Sequence, residues 1–389
     1  MTYKYLFIIL LLLFGIIEIF SKKINIPILA QEEISSENCK DTTIVPNSKN
    51  VKFIGRFYIK DEVTWLVLSG SSIEFYLTGK TAELNLIGDG NSIYLAKDQR
   101  PRYAIYLDDN QLLDTTMGEL EKTIKLFSNE EEKVVKVRII LLSEGSHGGI
   151  GVKSVNINSC TEKIIQPSEY KDLRIEYIGD SITCAWGIES ASEAEPFQTT
   201  TQNFELTYAY LSAKELNADY SCVCYSGSGV AGGGNQMPKV YTKTNAFTSY
   251  NEDWDFSKFP NDVVVINLGT NDAAYAAESK HDEYIQEYTN FLGLIRENNP
   301  NAYIICTLGM MGCENLFPLI EKAISLFGDN KVFSFLLPNQ KFEDGIGSQY
   351  HPNKVTHAKA GVIVYEKIKD ILGINWNKIW DCISLLKNK

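Results

Sequence analysis

The stretch Leu173-Arg174-Ile175-Glu176-Tyr177-Ile178, followed at once by Gly179-Asp180-Ser181-Ile182-Thr183, decides the fold of the second part of the chain. Its β-branched and aromatic residues alternate with charged ones, which is typical of a strand. The glycine-led segment predicts a strand-to-helix turn that presents the hydroxyl of Ser181. Because an open α/β sheet binds its ligands at the carboxyl ends of its strands, we expect the chemistry of this protein at this edge.

Strands and helical stretches alternate from Leu173 onward. Buried strands are predicted over residues 262–268 and 303–308, and helices over residues 204–216, 283–297, 317–326 and 355–372. This alternation indicates an α/β domain over residues 173–389, with a parallel sheet covered by helices on both faces.

The preceding part of the chain has short apolar segments with turn residues between them and no long helical pattern. This spacing predicts an antiparallel, jelly-roll-like β-sandwich, which we assign to residues 39–160, with a linker over residues 161–172. Gly79-Lys80 is one of the predicted turns. The predicted strands are residues 53–59, 65–68, 72–77, 82–87, 103–107, 133–142 and 152–157.

Length and charge limit the possible functions. A chain of 389 residues suits two domains, each large enough to bury its own core. The formal charge of -12 argues against nucleic acid as a partner, because such binding depends on clustered Lys and Arg. We therefore expect a neutral ligand. We separately expect the protein to be a monomer.

The first residues are similar to a secretory signal. Lys4 precedes an apolar run over residues 5–17, which is shorter than the roughly 20 residues that span a bilayer as a helix. We expect residues 1–30 to be a signal peptide and the protein to be secreted, a retained membrane anchor being the alternative.

All eight cysteines lie beyond this segment, which suits an oxidising compartment. We hypothesise a Cys39–Cys160 bond that ties the ends of the first domain together. Cys222 and Cys224 lie two residues apart in a predicted strand and are candidates for bridges to segments such as Cys184. No second cysteine pair or nearby histidine supports a zinc site, so we expect no metal.

Residues suited to acyl transfer follow several predicted strands. Ser181 follows the first, residues 226–229 (Ser-Gly-Ser-Gly) the next and residues 269–272 (Gly-Thr-Asn-Asp) the third, while His351 precedes the last helix. A serine needs a base to become a good nucleophile, and backbone N–H groups and an Asn amide can stabilise an oxyanion. Ser181 alone would suit a helix cap, but Asn271 and His351 argue for catalysis.

This arrangement resembles the SGNH hydrolases, and more closely carbohydrate esterase family 2, from about Val51 to the end of the chain. The resemblance implies a β-sandwich joined to an SGNH domain with a flavodoxin-like sheet, no cofactor, and removal of O-acetyl groups from plant-type polysaccharides. The segments that carry it are residues 179–184 (Gly-Asp-Ser-Ile-Thr-Cys), 254–257 (Trp-Asp-Phe-Ser), 263–272 (Val-Val-Val-Ile-Asn-Leu-Gly-Thr-Asn-Asp), 308–312 (Leu-Gly-Met-Met-Gly) and 351–353 (His-Pro-Asn).

By the same resemblance, Ser181 is the nucleophile and His351 the general base. The oxyanion donors are the backbone N–H groups of Ser181 and Gly227 and the amide of Asn271. Gly229 is the alternative to Gly227, because the Ser-Gly-Ser-Gly sequence permits either alignment.

The chain departs from the pattern of many SGNH enzymes, which place an Asp two or three residues before the histidine. Ser348 and Gln349 occupy those positions. Loss of this acid lowers turnover about 10⁴-fold in a serine-protease triad, so the ring must be held in another way. We favour a Ser-His dyad in which a backbone carbonyl accepts from Nδ1, and the alternative is that Asp344 folds back.

The remaining candidates are aromatic and histidine side chains. Trp186 and Tyr275 are expected at the mouth of the site, where a ring can stack on a sugar, although core packing is equally open. His147 and His281 are expected as solvated loop residues, and His357 as an ordinary residue of the last helix.

Two other functions stay open. The chain can be a non-catalytic carbohydrate-binding protein, which binding of unacetylated glycan by a Ser181→Ala variant would reveal. It can also be an SGNH lipase or thioesterase, which faster hydrolysis of long acyl chains would reveal.

Overall fold

The computed structural model describes residues 39–373, so the expected signal peptide at residues 1–30 lies outside it. Residues 40–167 form a ten-stranded antiparallel sheet with a large hydrophobic core and a smaller separate cluster. Its strands are β1 (Lys40–Ile44), β2 (Lys52–Ile54), β3 (Phe57–Lys60), β4 (Val63–Leu66), β5 (Ser72–Gly88), β6 (Arg102–Leu107), β7 (Asn110–Thr116), β8 (Glu121–Leu141), β9 (Ile150–Ser159) and β10 (Ile165–Pro167). A short helix, α1 (Asn91–Tyr94), follows β5.

The second part of the chain is built on a five-stranded parallel sheet. The strands are β11 (Arg174–Gly179), β12 (Asp219–Cys224), β15 (Val263–Asn267), β16 (Tyr303–Leu308) and β17 (Val332–Leu336), and a small pair, β13 (Ser228–Gly229) and β14 (Asn235–Gln236), lies beside it. The helices are α2 (Tyr208–Glu215), α3 (Met237–Val240), α4 (His281–Asn298), α5 (Phe317–Phe327) and α6 (Lys354–Leu372).

The strand order of the parallel sheet is β12-β11-β15-β16-β17. This is the 2-1-3-4-5 order of flavodoxin-like sheets, and its switch point lies between β11 and β15. Strands β12 and β15 are buried along their whole length, because helices cover both faces of the sheet. Helices α2 and α6 pack on one face, while α4 and α5 pack on the other.

Several local predictions were wrong. The strand predicted over residues 53–59 is two strands, β2 and β3. Residues 181–189 form turns and not the helix that was predicted to follow the first strand of the parallel sheet. Part of the predicted linker forms β10, which pairs with β5.

Residues 72–77 and 82–87 are not two strands joined by a turn at Gly79-Lys80, but parts of the single strand β5. The pairing of β5 with β8 shifts register at Gly79, which is the sign of a bulge, and a bulge bends a strand without ending it. The helix predicted over residues 204–216 begins only at Tyr208, because Thr207 caps it by accepting from the Tyr210 N–H.

Buried ion pairs connect the two sheets. Lys52 of β2 lies 2.6 Å from the carboxylate of Asp219 at the start of β12, and the two side chains are 1% and 3% exposed. Arg56 donates to Glu176 of β11 at 3.2 Å and also to backbone carbonyls at residues 241 and 243. The antiparallel and parallel parts are therefore joined by charged groups that water does not reach.

Replacement of Lys52 by methionine is expected to destabilise the protein by about 3–5 kcal/mol, because it leaves the Asp219 carboxylate buried without its cation. Urea unfolding measures this change. Lys153→Met is the matched control, since the pair of Lys153 with Glu121 is exposed and contributes little. Equal midpoints for Lys52→Met and wild type would contradict the account.

The described cysteines differ from the expectation of several bridges. Cys39 and Cys160 are each disulfide-bonded, and their pairing with one another stays a prediction that non-reducing mass mapping tests. Cys184, Cys222 and Cys224 are free, so the proposed bridges among them were wrong. The Sγ atoms of Cys222 and Cys224 lie 3.5 Å apart, well beyond the length of a disulfide bond of about 2 Å.

Within residues 39–373, no helix is long and apolar enough to cross a bilayer.

Candidate active site

The structure brings Ser181 and His351 together, although 170 residues separate them in the chain. The Nε2 atom of His351 lies 2.9 Å from the Oγ atom of Ser181, which is the distance of a hydrogen bond. Ser181 is 7% exposed and lies in the turn after β11, at the carboxyl edge of the parallel sheet. This geometry allows the imidazole to remove the proton of the hydroxyl.

The turn that presents Ser181 needs glycine at its start. A Cβ atom at Gly179 would lie only 2.0 Å from the Oγ1 atom of Thr183. The buried carboxyl group of Asp180 accepts from the Ile182 N–H at 2.9 Å and so fixes the turn. Burial raises the pKa of Asp180 to about 7. Asp180 therefore acts as a hydrogen-bonding residue of the turn.

Backbone carbonyls hold the other nitrogen of the imidazole. The Nδ1 atom of His351 lies 3.1 Å from the Ser348 carbonyl oxygen and 3.2 Å from that of Gln349. Gln349 and Tyr350 have φ angles of 52° and 64°, a left-handed conformation that non-glycine residues rarely adopt. The Gln349 N–H donates to the Glu193 carbonyl at 3.0 Å, and the Gln340 amide donates to the Tyr350 carbonyl at 2.6 Å. These bonds hold the unusual turn in place.

Asp344 does not contact His351 by any hydrogen bond among the described residues. Its carboxylate accepts from the Lys359 ammonium at 2.6 and 2.7 Å, and its carbonyl accepts from the Asn353 amide.

Burial lowers the pKa of His351 to about 4, against the opposite effect of the Ser348 and Gln349 carbonyls. The base is consequently neutral near pH 7.

Gly227 lies in the loop after β12 with a φ angle of 75°, and a Cβ atom there would meet nothing within 4 Å. Among the turn and loop hydrogen bonds of residues 39–373, none uses the N–H of Ser181 or of Gly227. Gly229 differs, since it is buried in β13 and a Cβ atom there would lie 2.6 Å from the Asp272 carboxylate. The open position of Gly227 favours it over Gly229 as an oxyanion donor, which stays a prediction.

Asn271 reaches the same edge of the sheet. Its Nδ2 group donates to the Asp180 carboxyl group and to the Ser228 carbonyl, both at 3.0 Å. Both amide hydrogens have acceptors, so an oxyanion would share one of them with the Asp180 carboxyl group or the Ser228 carbonyl. The neighbouring Asp272 carboxylate accepts from the N–H groups of residues 230, 231 and 232 and fixes that loop.

Trp186 lies directly beside the base. Its ring stacks on His351 with centroids 5.4 Å apart and on Phe197 at 3.8 Å, and its Nε1 donates to the Gln349 side chain at 3.1 Å. The ring is only partly buried. It is therefore placed where a ring could contact a bound ester.

Tyr275 is placed in the core instead. It is 9% exposed, packs against Tyr284, and its hydroxyl donates to the Ala231 carbonyl and contacts Glu283, both at 3.1 Å. The expected role at the mouth of the site does not fit this burial, because packing and hydrogen bonds already occupy the side chain. Core packing was the other possibility for this ring.

The other histidines lie apart from the Ser181 hydroxyl. His357 is in α6 as predicted, but it is buried, and its Nδ1 accepts from the Tyr208 N–H at 3.2 Å. His281 begins α4. His147 is partly buried and packs against Phe197 with the two rings tilted by 37°, contrary to the expectation of a solvated loop residue.

Two contributors were not predicted from the sequence. Phe197, whose ring stacks on Trp186, lies in an irregular segment away from any motif. The Ser348 carbonyl has no side-chain signature at all. The absence of an acid at Ser348 and Gln349 was the one available signal that the backbone holds the ring.

Comparison with known proteins gives two family matches. Residues 177–330 match the GDSL-like Lipase/Acylhydrolase family, and residues 53–167 match the carbohydrate esterase 2 N-terminal family. The first match contains Ser181 and Asn271, and the second covers most of the antiparallel sheet.

Individual proteins are similar over most of the chain. Cellulase/esterase CelE of Acetivibrio thermocellus is 30% identical over 76% of this chain, which spans only 37% of that protein. An acetylxylan esterase / glucomannan deacetylase of Cellvibrio japonicus is 25% identical over 85% of this chain and 91% of its own length. The structure of a family two carbohydrate esterase from Clostridium thermocellum in complex with cellohexaose has a TM-score of 0.73 and 27% identity, covering 83% of this chain and 99% of that one.

Proposed function

This chain belongs to carbohydrate esterase family 2, and we propose that it removes O-acetyl groups from plant cell-wall polysaccharides or their fragments. The observation that carries the proposal is the 2.9 Å contact between the His351 Nε2 and the Ser181 Oγ. A relative named acetylxylan esterase / glucomannan deacetylase supports the substrate class. A family two relative in complex with cellohexaose supports an extended sugar chain as partner.

The reaction proceeds through an acetyl-enzyme. Ser181 attacks the acetyl carbonyl as His351 takes the hydroxyl proton, and the N–H groups of Ser181 and Gly227 stabilise the oxyanion with the Asn271 amide. His351 then protonates the departing sugar oxygen. A water molecule, activated by the same imidazole, hydrolyses the acetyl-enzyme and restores Ser181.

His351 works as half of a dyad in this proposal. The carbonyls of Ser348 and Gln349 accept from Nδ1–H, which fixes the tautomer that leaves Nε2 free to accept a proton. They also stabilise the imidazolium that forms in the transition state. This support offsets only part of the effect of burial, so the pKa of the ring stays low.

The activity is expected to persist in acid. A general base must be neutral, and its activity falls as the pH drops through its pKa in the free enzyme. Since burial lowers the pKa of His351 to about 4, the acid limb of kcat/KM is expected near pH 4 rather than near 6.5. Initial rates on 4-nitrophenyl acetate between pH 3 and 8 measure it, with enzyme returned to pH 7 as a control for unfolding. An acid limb near 6.5 would contradict the assignment.

An acyl-chain series separates this function from that of a lipase. We expect acetyl esters to be hydrolysed faster than butyryl esters, and octanoyl esters slowest, because Trp186 and Phe197 stack closely beside the base. Values of kcat/KM on the three 4-nitrophenyl esters test this order. Fastest hydrolysis of the octanoyl ester would favour the lipase alternative.

Secretion is the second part of the proposal. The apolar segment at residues 5–17 after Lys4 and substrates too large to enter a cell both support it. Amino-terminal sequencing of protein recovered from the medium tests it, and protein retained in the membrane fraction would favour an anchor.

A further inference from the structure

Glu144 is a buried carboxylate that the proposed reaction does not use. It follows β8 in the antiparallel part of the chain and is 2% exposed. Its side chain nevertheless contacts the loop after β12, which belongs to the parallel sheet. A buried charge is costly unless hydrogen bonds compensate it, so its position calls for an explanation.

The carboxylate binds the residue immediately before Gly227. It accepts from the Ser226 N–H at 3.0 Å and from the Ser226 hydroxyl, and a third donor is the Ser146 hydroxyl at 2.8 Å. All three donors are neutral groups. Both the backbone and the side chain of Ser226 are thus fixed by one carboxylate.

The backbone of Glu144 is itself anchored to the nucleophile turn. The buried side chain of Gln202 accepts from the Glu144 N–H at 3.0 Å and donates to the Cys184 carbonyl at 2.8 Å. Cys184 lies three residues after Ser181 and donates its own N–H to the Asp180 carbonyl. A continuous chain of hydrogen bonds therefore joins the turn of Ser181 to the loop of Gly227.

Gly227 has no side chain through which packing could fix it, and the hydrogen bond that its carbonyl accepts from the Gly234 N–H at 2.9 Å holds the peptide after it rather than the one before it. The space where its Cβ atom would lie is open within 4 Å, and glycine imposes few limits on its own backbone angles. The orientation of its N–H is set by the peptide that joins it to Ser226. An oxyanion donor is effective only when it is already aimed at the developing charge.

We propose that Glu144 is a positioning residue, which orients the Ser226-Gly227 peptide so that the Gly227 N–H points at the oxyanion. The antiparallel part of the chain thereby completes the reaction centre on the parallel sheet. This inference rests on the proposed role of Gly227 as an oxyanion donor.

The test is the hydrolysis of 4-nitrophenyl acetate by Glu144→Ala. Loss of one oxyanion donor costs about 10²–10³ in kcat. If the Gly227 N–H loses its orientation, we expect kcat to fall about 10-fold or more and KM to change less than about threefold. Glu144→Gln keeps an acceptor for the Ser226 N–H and is expected to recover most of the loss. The matched control is Glu74→Ala, because Glu74 is also a buried carboxylate that accepts from a serine, Ser168.

The outcomes separate positioning from stability. A similar loss of kcat in Glu74→Ala and Glu144→Ala, or a change in KM alone, would overturn the proposal. If Glu144→Ala does not fold, Ser226→Ala replaces it, since it removes one of the two bonds to the same residue and is expected to lower kcat severalfold. An unchanged kcat there would overturn the proposal. Because the ester carries no sugar, failure of wild type on acetylated glycans would count against the proposed function alone.

Discussion

Replacement of Ser181 by alanine is expected to lower kcat on acetyl esters by about 10⁴- to 10⁶-fold, the size of effect known for nucleophiles of serine hydrolases. The reason is that the acetyl-enzyme can no longer form, while the oxyanion donors and His351 stay in place. Initial rates at high enzyme concentration measure the residual activity. Only background hydrolysis aided by binding and by the oxyanion donors should remain.

The control for this variant is another buried serine. Ser212 lies in α2, and its hydroxyl forms a hydrogen bond of 2.8 Å with the Tyr177 hydroxyl. Because Ser212 lies outside the proposed reaction centre, Ser212→Ala is expected to keep kcat within about twofold. More than about 1% residual activity in Ser181→Ala would argue against Ser181 as nucleophile. Binding of unacetylated glycan by an otherwise inactive wild type would instead indicate a carbohydrate-binding protein.

The second large effect is the contrast between His351→Ala and Asp344→Ala. Loss of the base is expected to cost about 10⁴-fold or more in kcat, as for a serine-protease triad. Loss of the Asp344 carboxylate is expected to cost less than about threefold, because it pairs with Lys359, a half-exposed side chain, rather than with the imidazole. The kcat values of both variants on 4-nitrophenyl acetate provide the measurement.

Thermal unfolding of Asp344→Ala serves as the control for that comparison. The residue lies in a turn whose carbonyl accepts from the Asn353 amide, and this bond does not need the carboxylate. An Asp344→Ala variant that is folded yet loses as much activity as His351→Ala would show that the base depends on a triad.

Local patterns were enough to predict most of the parallel sheet, although its edge strand β17 was not predicted. The runs at residues 262–268 and 303–308 are largely apolar because helices bury both faces, and they correspond to β15 and β16. The run at residues 173–178, in which apolar and charged residues alternate, corresponds to β11. In β5 the same reasoning failed, since Gly79-Lys80 has the composition of a turn but lies at a register shift within a longer strand. Only the partner strand β8 distinguishes a bulge from a turn.

The reaction centre was predictable where it depends on residue type. Ser181 and His351 were chosen for their chemistry, and the structure places them in contact. The carbonyls that hold the imidazole could not be chosen in this way, because every residue has one. The left-handed turn at Gln349 and Tyr350 carries no glycine that would have marked it. Glu144 reaches the loop of Gly227 from the other sheet, and such contacts leave no local pattern.

The central claim, that this chain deacetylates carbohydrates through Ser181, is tested most directly by NMR of acetylated xylan, glucomannan and cello-oligosaccharides treated with the full chain. We expect the O-acetyl resonances of at least one of these substrates to disappear as free acetate appears, with no change when Ser181→Ala is added instead. Full retention of the sugar acetyl groups by wild type, or equal acetate release by Ser181→Ala, would contradict the account.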